Sequence, residues 1–313
     1  MTTSSKHIVA GVILGSNNNV LLAKRLAHAH QGGLWEFPGG KKEVNETVEQ
    51  ALARELQEEI DLRVVQARPL ITVDHHYPDK HILLDVWLIE KWAGTPWGKE
   101  GQTVEWCDIK DLHQRQFPAA NYPIIQAIQL PDTYLITPEP YQEKAFFYQL
   151  EACLEQGIKL VQLRAKQLDE KTYCHYAEKA LDLCQRYQAR LLVNASFDIA
   201  LTVGADGVHL TSQQLQQYTE PCVNSSLLIA TSCHNLFEIQ QANAIQTNFI
   251  VFSPVRITKS HPKSSPIGWQ HFFTGTQHAH CPVFALGGMR LSDLPQVWAH
   301  GGQGIAGISH FWK

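Results

Sequence analysis

The residues in this sequence best suited to catalysis or metal binding are a glycine pair and the closely spaced acidic residues that follow it. The segment runs from Gly39 to Leu62 and reads GGKKEVNETVEQALARELQEEIDL. If it is helical, Glu55 and Glu59 project within its apolar sector and Glu58 lies at the edge of that sector, because each residue turns the helix by about 100°. Burying such carboxylates costs roughly several kcal/mol each unless a positive group compensates them. The pattern therefore predicts a site for a hard cation with oxygen ligands, Mg²⁺ or Mn²⁺.

The helix that must position these carboxylates has a recognisable start and an apolar face. Thr47 and Gln50 have the spacing of a capping box, so we predict that the helix begins there. Its apolar face is predicted to hold Val48, Leu52, Leu56 and Ile60. A solvated acidic helix face would also produce an E-x-x-E-E pattern and is the commoner case. The preceding glycine pair, the lone Arg54 and the placement of the carboxylates beside the apolar face favour the metal site.

The segment resembles the Nudix box, a family pattern written G-x5-E-x7-R-E-U-x-E-E-x-G-U. The positions that match it are Gly40, Glu46, Arg54, Glu55, Leu56, Glu58, Glu59 and Leu62. The departure is Asp61, where the family carries a glycine that ends the helix in a left-handed conformation. Aspartate tolerates this conformation better than most residues, so we expect a stability cost of about 1 kcal/mol and intact catalysis.

The resemblance extends to the MutT branch of the Nudix family, the 8-oxo-dGTP diphosphatases. It covers nearly all of residues 7 to 130, in the segments LWEFPGGK, ALARELQEE, HYPDKHI, PWGKEGQ and PAANYPII. It implies metal-dependent attack of water on the β-phosphorus of a nucleoside triphosphate, which releases a nucleoside monophosphate and pyrophosphate. It also implies that a box glutamate helps to remove a proton from water, and Glu55 is either that base or a metal ligand.

Carried over by position, the resemblance gives roles to individual residues. The implied catalytic residues are Glu55, Glu58 and Glu59. The implied metal ligands are the Gly39 carbonyl and the carboxylates of Glu55, Glu58, Glu59 and Glu100. The implied substrate-binding residues are Arg25, His30, Glu36, Phe37, Lys41 and Asn121. Among these, Arg25 and Lys41 would meet phosphate oxygens and Asn121 would bind the base. Taken alone, Arg25 and Lys41 would be read as solvated cations, Asn121 as a turn residue, and Glu100 as a surface acid.

Length and composition bound the other possibilities. A chain of 313 residues predicts about two domains, which we place at residues 1–130 and 133–313. The net charge of −4 argues against direct nucleic-acid binding, which needs a basic surface. Seven cysteines without C-x-x-C spacing predict neither a disulfide framework nor a zinc site, and we expect them to be reduced and buried. The only apolar run near the N-terminus, Ile8 to Leu14, is too short for a signal peptide or a membrane span, so we expect a cytoplasmic protein with no membrane partner.

The first domain is predicted to be an α/β/α sandwich of the Nudix type, with mixed strands around the acidic helix. Two strands, Ile8 to Leu14 and Val20 to Leu22, flank a turn rich in asparagine and are read as a hairpin. Further strands are predicted at Leu34 to Phe37, Leu70 to Val73, His81 to Trp92 and Thr103 to Trp106, and a closing helix is predicted to end at Gln129.

From Thr133 onwards, short apolar runs alternate with helical segments, which is the pattern of a parallel β/α array. The runs are Tyr134 to Ile136, Leu160 to Leu163, Leu191 to Val193, Gly207 to Leu210, Leu228 to Ala230, Phe249 to Phe252, Val283 to Leu286 and Gly304 to Ile308. About eight such strands predict a (β/α)8 barrel of the TIM type. The segments GIKLVQLRAK, GADGVHL, ATSCHN and VFALGGM, among others, make residues 133 to 312 similar to thiamin phosphate synthases and to the related thiazole tautomerases.

This second resemblance implies a phosphate site at one end of the barrel. Its implied members are Arg164, Lys166, Lys259, Gly287, Gly288 and Ser309, the last three through backbone amides. Glycine pairs also occur in plain turns after strands. Synthases of this family hold a diphosphate through Mg²⁺ on two aspartates, but the matching turns here read Asn194-Ala195 and Thr211-Ser212-Gln213-Gln214. Because neither alanine nor glutamine replaces a charged ligand of Mg²⁺, we expect the barrel to bind a phosphorylated small molecule without making thiamin phosphate.

Three functions are consistent with these patterns. The first is a metal-dependent nucleoside triphosphate pyrophosphohydrolase that acts on 8-oxo-dGTP and carries a catalytically degraded barrel. The second joins the halves, with the Nudix domain hydrolysing thiamin-related diphosphates and the barrel acting in thiazole metabolism, where His234 would be a proton carrier or merely a structural residue. The third makes the barrel a non-catalytic module for ligand sensing or assembly.

Overall fold

The computed structural model of the protein describes residues 6–78, 80–222, 227–257 and 265–312. The chain divides into two compact units, Met1–Gln129 and Leu130–Lys313. Each unit has its own hydrophobic clusters and is described by itself. In the described residues, no helix combines the length and the apolar character that crossing a bilayer requires.

The first unit contains seven strands and two α-helices in its described residues. The strands are β1 (Lys6–Ile13), β2 (Asn19–Lys24), β3 (Trp35–Glu36), β4 (Gly39–Lys41), β5 (Arg63–His76), β6 (His81–Ala93) and β7 (Val104–Asp108), and the helices are α1 (Val48–Ile60) and α2 (Tyr122–Gln129). One sheet has the order β4-β1-β6-β5 and the other has the order β3-β2-β7. The mixed strands and the acidic helix agree with the predicted Nudix-type fold.

The predicted hairpin between β1 and β2 is wrong. The two strands belong to different sheets and share only an isolated bridge between Leu14 and Val20. Both edges of β1 are occupied, by β4 in antiparallel and by β6 in parallel orientation, and both edges of β2 are occupied by β3 and β7. A short turn in the sequence does not reveal that each strand has better partners elsewhere.

The helix α1 has the start, the buried face and the end that the sequence predicts. Thr47 is its N-cap and forms the capping box with Gln50. Its buried residues are Ala51, Leu52, Leu56 and Ile60, which pack in one cluster with residues of β1, β2 and β6. Asp61 ends the helix in the left-handed conformation, at φ 57° and ψ 33°, and its carboxylate accepts a hydrogen bond from Gln57. Asp61 therefore ends the helix in the conformation that the family's glycine is expected to adopt.

The second unit is a closed barrel of eight parallel strands in its described residues, in the order β10-β11-β12-β13-β14-β15-β8-β9. The strands are β8 (Thr133–Ile136), β9 (Leu160–Leu163), β10 (Arg190–Val193), β11 (Gly207–Leu210), β12 (Leu228–Cys233), β13 (Phe249–Phe252), β14 (Val283–Leu286) and β15 (Gly304–Gly307). The helices are α3 (Glu143–Glu155), α4 (Glu170–Arg186), α5 (Phe197–Val203), α6 (Ser212–Leu215), α7 (Leu236–Ala244), α8 (Gly268–His278) and α9 (Leu294–Ala299). The predicted TIM-type barrel is confirmed.

Two hydrophobic clusters build the barrel. One consists mainly of alternate strand residues, among them Tyr134, Leu160, Leu192, Phe249 and Phe284. The other joins the opposite strand residues to the surrounding helices. All seven cysteines are free thiols, but Cys174 and Cys222 are only partly buried, so the expectation that all cysteines are buried is wrong for these two.

Candidate active site

A cleft in the first unit gathers several of the residues that the sequence predicts to be functional. Its volume is about 130 Å³. Its lining residues are Lys24, Arg25, Leu26, Ala29, Glu36, Glu59, Glu100 and Gln102. They come from the end of β2 and the loop after it, from β3, from α1 and from the loop between β6 and β7. Four of them, Arg25, Glu36, Glu59 and Glu100, are predicted site residues that lie far apart in the sequence.

Glu59 is the box carboxylate that faces this cleft. Its Oε2 accepts a hydrogen bond of 2.7 Å from the backbone N–H of Gly39, and Gln102 donates from Nε2 to the Glu59 carbonyl at 3.0 Å. Burial raises the pKa of the Glu59 carboxyl to about 7, and the neighbouring charges of Glu36 and Glu100 act in the same direction. A carboxylate desolvated in this way is stabilised by a cation.

The glycine pair lets the chain pass close to these carboxylates. A Cβ atom on Gly39 would lie 2.1 Å from the carbonyl oxygen of Val9, on the neighbouring strand β1. A Cβ atom on Gly40 would lie 2.1 Å from Oε2 of Glu55. Glycine is therefore required at Gly39 by the backbone of β1, whereas a larger residue at Gly40 would displace the Glu55 carboxylate.

Arg54 organises the other acidic residues of the box. Its guanidinium nitrogens contact Glu46 at 2.7 Å, Glu55 at 2.9 Å and Glu58 at 3.0 Å. It also donates a hydrogen bond to the carbonyl of Lys41, whose side chain is exposed. The Glu58 side chain is 59% exposed, whereas that of Glu55 is 18% exposed. Burial raises the pKa of the Glu55 carboxyl, and the adjacent Arg54 opposes that rise. The predicted metal ligands therefore separate into two groups, with Glu59 and Glu100 at the cleft and Glu55 and Glu58 on Arg54.

Arg25 and Glu36 form an ion pair at the cleft. Arg25 also donates from Nε to the carbonyl of His30 at 2.9 Å. Burial raises the pKa of the Glu36 carboxyl, and the adjacent Arg25 opposes that rise. The predicted phosphate-binding arginine is thus held by a carboxylate, while Lys24 lies at the same cleft as a second cation that the sequence did not single out.

The predicted base-binding residue lies at the start of α2. Asn121 is 7% exposed, and its backbone N–H donates to the Pro118 carbonyl at 2.9 Å. Within the described part of the chain, its side-chain amide has no hydrogen-bond partner. The adjacent Ala120 donates from its backbone to the hydroxyl of Tyr77 at 3.3 Å. An amide that is mostly buried and makes no bond to the protein is suited to bind a ligand.

Two further predicted substrate contacts have different environments. His30 is exposed, and its Nδ1 lies 2.9 Å from the amino group of Lys80 on the β5–β6 connection. Phe37 is only 3% exposed, because its ring stacks on Phe117 within the hydrophobic cluster. The side chain of Phe37 is therefore a core residue and is not available to contact a substrate.

The donor set at the cleft suits a hard divalent cation. Glu59, Glu36 and Glu100 offer carboxylate oxygens, and Gln102 adds an amide oxygen. Oxygen-only sites of this kind prefer Mg²⁺ or Mn²⁺ to softer ions. The raised pKa values of Glu36 and Glu59 show that burial disfavours their charged forms, which is the condition a bound cation relieves.

We expect the metal-free protein to lose stability through Glu59 as the pH rises from about 5 to about 8. Because the folded-state pKa is about 7 against 4.5 in the reference state, the folded protein keeps a proton that the unfolded chain releases. At a pH above about 7 the folded protein must ionise this buried carboxyl, which lowers the free energy of unfolding by about 3 kcal/mol at most. The measurement is denaturant unfolding of wild-type protein and Glu59→Gln, in chelator, across this pH range. The variant should gain relative stability as the pH rises, and a difference that is constant with pH would contradict the raised pKa.

The barrel gathers the other predicted residues at one rim. Arg164 and Lys166 follow β9, Gly287 and Gly288 follow β14, and Ser309 follows β15. These strands are close together in the barrel order β14-β15-β8-β9, so their carboxyl ends share one arc of the rim. Arg164 contacts Glu139 at 3.4 Å, and both glycines have positive φ angles of 109° and 67°. Lys259 lies outside the described residues.

Comparisons with known proteins agree with both halves of this description. A family model described as a NUDIX domain matches residues 9–127, and one described as thiamine monophosphate synthase matches residues 133–311. The 8-oxo-dGTP diphosphatase of Escherichia coli (strain K12) is 43% identical over 122 residues, which are 39% of this chain and 95% of the relative. An Aquifex aeolicus (strain VF5) protein named "Putative thiamine-phosphate synthase 2" is 36% identical over 184 residues, which are 59% of this chain and 99% of the relative. The chain joins a Nudix hydrolase to a member of the thiamine monophosphate synthase family.

A solved structure is also similar to the Nudix half. A structure from a study of MutT from Aliivibrio salmonicida and Vibrio cholerae is 39% identical, with a TM-score of 0.37, and the match covers 40% of this chain and 97% of the other. The NUDIX family match and the 8-oxo-dGTP diphosphatase relative show that the Nudix half is a hydrolase acting on acid anhydrides.

The thiamine monophosphate synthase half uses two of its key positions for internal hydrogen bonds. Asn194 donates from Nδ2 to the His209 carbonyl at 2.8 Å. The side-chain oxygen of Gln214 accepts from the backbone N–H and the hydroxyl of Thr211, both at 2.9 Å, and so caps α6. His234, the candidate proton carrier, contacts the Ser253 carbonyl at 2.9 Å through Nδ1. The amides that stand near the family's aspartate positions thus stabilise the barrel itself.

The sequence did not single out Lys24 or Gln102, and it did not predict the contacts of Arg54. Arg54 matches the box pattern, but the pattern does not say that this one side chain holds three glutamates. Gln102 is buried and binds Glu59, although it reads as a loop residue. Gln102 lies two residues after Glu100 in the segment GKEGQ, and this position could have indicated its role. A loop that carries a metal ligand commonly also carries residues that orient the ligands.

Proposed function

We propose that the Nudix half hydrolyses oxidised purine nucleoside triphosphates, with 8-oxo-dGTP as the preferred substrate, to the nucleoside monophosphate and pyrophosphate. The observation that carries the proposal is the buried Glu59 carboxylate, which faces the cleft together with Glu36, Glu100 and two cations. The relatives named 8-oxo-dGTP diphosphatases support this choice of substrate. Free nucleotides as substrates, and a net charge of −4, favour a cytoplasmic enzyme that does not bind nucleic acid directly.

The proposed reaction requires Mg²⁺ or Mn²⁺. The residues that would hold it are the Gly39 carbonyl, the Glu59 and Glu100 carboxylates at the cleft, and the Glu55 and Glu58 carboxylates, which would first have to release Arg54. When bound, the ion supplies positive charge to the phosphate chain and makes water more acidic. Glu59 has a pKa of about 7, so it gives up its proton close to neutral pH and can then hold a cation. Glu55, whose pKa is also raised, is either one of these ligands or the base that accepts the proton of the attacking water.

The remaining residues bind and orient the substrate. Phosphate oxygens would be bound by the positive charges of Lys24, Arg25 and Lys41. Arg25 would have to break its ion pair with Glu36 in order to bind phosphate. His30 lies beside Lys80, at the edge of the same region. The free amide of Asn121 both donates and accepts hydrogen bonds, as the edge of an oxidised purine requires.

Replacing Asn121 by Ala should narrow the preference for 8-oxo-dGTP over dGTP by about tenfold or more. A buried polar group that a wrong base leaves unpaired costs roughly 1–3 kcal/mol, and the alanine removes that penalty. The measurement is kcat/KM for both nucleotides in wild-type protein and Asn121→Ala at a fixed Mg²⁺ concentration. Tyr122→Phe is the control. Tyr122 is exposed and follows Asn121 in the chain, so this substitution changes a neighbouring side chain but keeps the Asn121 amide. An unchanged ratio of the two constants would rule out the role of Asn121.

The type of reaction is tested by hydrolysis in water enriched in heavy oxygen. Attack on the β-phosphorus puts the label into pyrophosphate, and the nucleoside monophosphate stays unlabelled. Mass spectrometry of both products decides the point. Label in the monophosphate would mean attack on the α-phosphorus, and release of inorganic phosphate would mean a different hydrolysis altogether.

We further propose that the barrel binds a phosphorylated small molecule at its rim and does not make thiamin phosphate. The absence of carboxylates at Asn194-Ala195 and at Gln213-Gln214 supports this, because nothing there replaces the aspartates that hold Mg²⁺ in synthases. The barrel would then serve ligand sensing or assembly. A second candidate links the halves, with the Nudix site hydrolysing thiamin-related diphosphates, and the family match of residues 133–311 is the observation that favours it.

A further inference from the structure

One face of the β5–β6 hairpin carries two imidazoles and a carboxylate that the nucleotide reaction does not use. Asp74 and His76 are two residues apart on β5, so their side chains project from the same face. His81 is the first residue of β6 and is the direct cross-strand partner of His76. The antiparallel register therefore brings the three side chains together at the end of the hairpin.

The donor atoms of these side chains converge. One ligand atom from each of Asp74, His76 and His81 lies within 4.8 Å of the other two. Nε2 of His76 is 3.7 Å from Oδ1 of Asp74, and Nε2 of His81 is hydrogen-bonded to the same oxygen. A tetrahedral zinc ion with bonds of about 2.1 Å keeps its ligands about 3.4 Å apart. The 3.7 Å separation of His76 and Asp74 is close to that spacing, and the His81 nitrogen, which is hydrogen-bonded to Asp74, would move away from it when an ion binds.

The two imidazole rings are already arranged side by side. The rings of His76 and His81 stack with centroids 3.9 Å apart and an angle of 5° between their planes. The contact with Asp74 holds His81, and the cross-strand register places the His76 ring directly against it. The His76 side chain is 73% exposed and that of His81 23%, so an ion would be accessible from solvent and would complete its coordination with water.

The ligand types select the class of metal. Imidazole suits zinc, nickel, copper and iron, whereas Mg²⁺ prefers oxygen ligands alone. The carboxylate cleft described above has the opposite preference. The two sites would therefore sort different ions in the same solution.

We propose that Asp74, His76 and His81 form a binding site for a divalent transition-metal ion of the zinc class, which ties β5 to β6 at the tip of the hairpin. The tip contacts His30 and Ala120, which are a predicted substrate-binding residue and the neighbour of another, Asn121. Tyr77 donates from its backbone to the Lys80 carbonyl at 2.8 Å, and its hydroxyl accepts a hydrogen bond from Ala120. Lys80 contacts His30. The ion would thus fix the segment that joins His30 to the neighbourhood of the base-binding site.

The test is calorimetric titration of the full chain with Zn²⁺, after removal of metals with chelator and in the presence of excess Mg²⁺. The excess Mg²⁺ occupies oxygen-only sites, so the titration reports the imidazole site. Wild-type protein should bind one tight equivalent. His76→Ala, His81→Ala and Asp74→Asn should each weaken this equivalent by about tenfold or more, because each removes a ligand.

His75→Ala is the matched control. His75 is the neighbour of both Asp74 and His76 on β5 but projects from the opposite face, so its loss should leave the tight equivalent unchanged. Thermal unfolding gives a second readout, in which Zn²⁺ raises the midpoint of wild-type protein and of His75→Ala but not of Asp74→Asn. Equal isotherms for wild type and the three ligand variants would overturn the proposal. A loss in His75→Ala as large as that in His81→Ala would overturn it as well.

Discussion

Glu59→Gln should lower the turnover of 8-oxo-dGTP by about a hundredfold or more and leave the fold intact. Glu59 is the box carboxylate that faces the cleft, and its replacement removes negative charge where the cation is expected. Its hydrogen bond from the Gly39 N–H can be kept by the amide oxygen of glutamine, so the local structure has no reason to change. The measurement is kcat at saturating Mg²⁺ and substrate, with circular dichroism to check the fold.

Glu49→Gln is the control for this experiment. Glu49 lies in the first turn of the same helix and is exposed, so its replacement changes the charge of α1 without touching the cleft. Turnover in Glu49→Gln should match the wild type. If Glu59→Gln also turned over 8-oxo-dGTP at the wild-type rate, the assignment of the cation to this helix would be wrong.

No thiamin phosphate should form when the full chain is supplied with the thiazole phosphate, the pyrimidine diphosphate and Mg²⁺. The barrel has alanine and glutamines where synthases carry the aspartates that hold the metal diphosphate, and Gln214 is engaged in capping α6. A hard cation with a diphosphate has no charged protein ligand at these turns. The measurement is chromatographic detection of thiamin phosphate over hours.

This assay needs a variant in which the Nudix half cannot consume the pyrimidine diphosphate. Full-length Glu59→Gln serves that purpose, and wild-type protein is run beside it. Saturable binding of thiazole monophosphate without turnover supports a ligand-binding barrel. Clear formation of thiamin phosphate by either protein would defeat the claim.

Local patterns predicted much of the fold because they are strong where the structure is regular. The capping box at Thr47 and the left-handed Asp61 are short-range features, and both occur as expected. The eight barrel strands are short, mostly buried and mostly apolar runs, so each can be predicted without knowledge of its partners. The hairpin between β1 and β2 failed because strand pairing is a long-range property, decided by β4, β6 and β7 rather than by the turn.

The site was less predictable than the fold, because spacing along a helix does not fix which way a long side chain turns. Glu58 and Glu59 are neighbours in sequence, yet one bonds Arg54 near the surface and the other faces the cleft. Phe37 was predicted to bind substrate, but its ring stacks on Phe117 in the core. Gln102 had no pattern of its own, and the Asp74, His76 and His81 cluster depends on the cross-strand register of β5 and β6.

A competition experiment tests the central claim most directly. Equal concentrations of 8-oxo-dGTP, dGTP and thiamin diphosphate are incubated together with the full chain and Mg²⁺, and the products are separated over time. We predict that 8-oxo-dGMP and pyrophosphate appear first, that dGTP is consumed more slowly, and that thiamin diphosphate persists. Consumption of thiamin diphosphate ahead of both nucleotides would contradict the account.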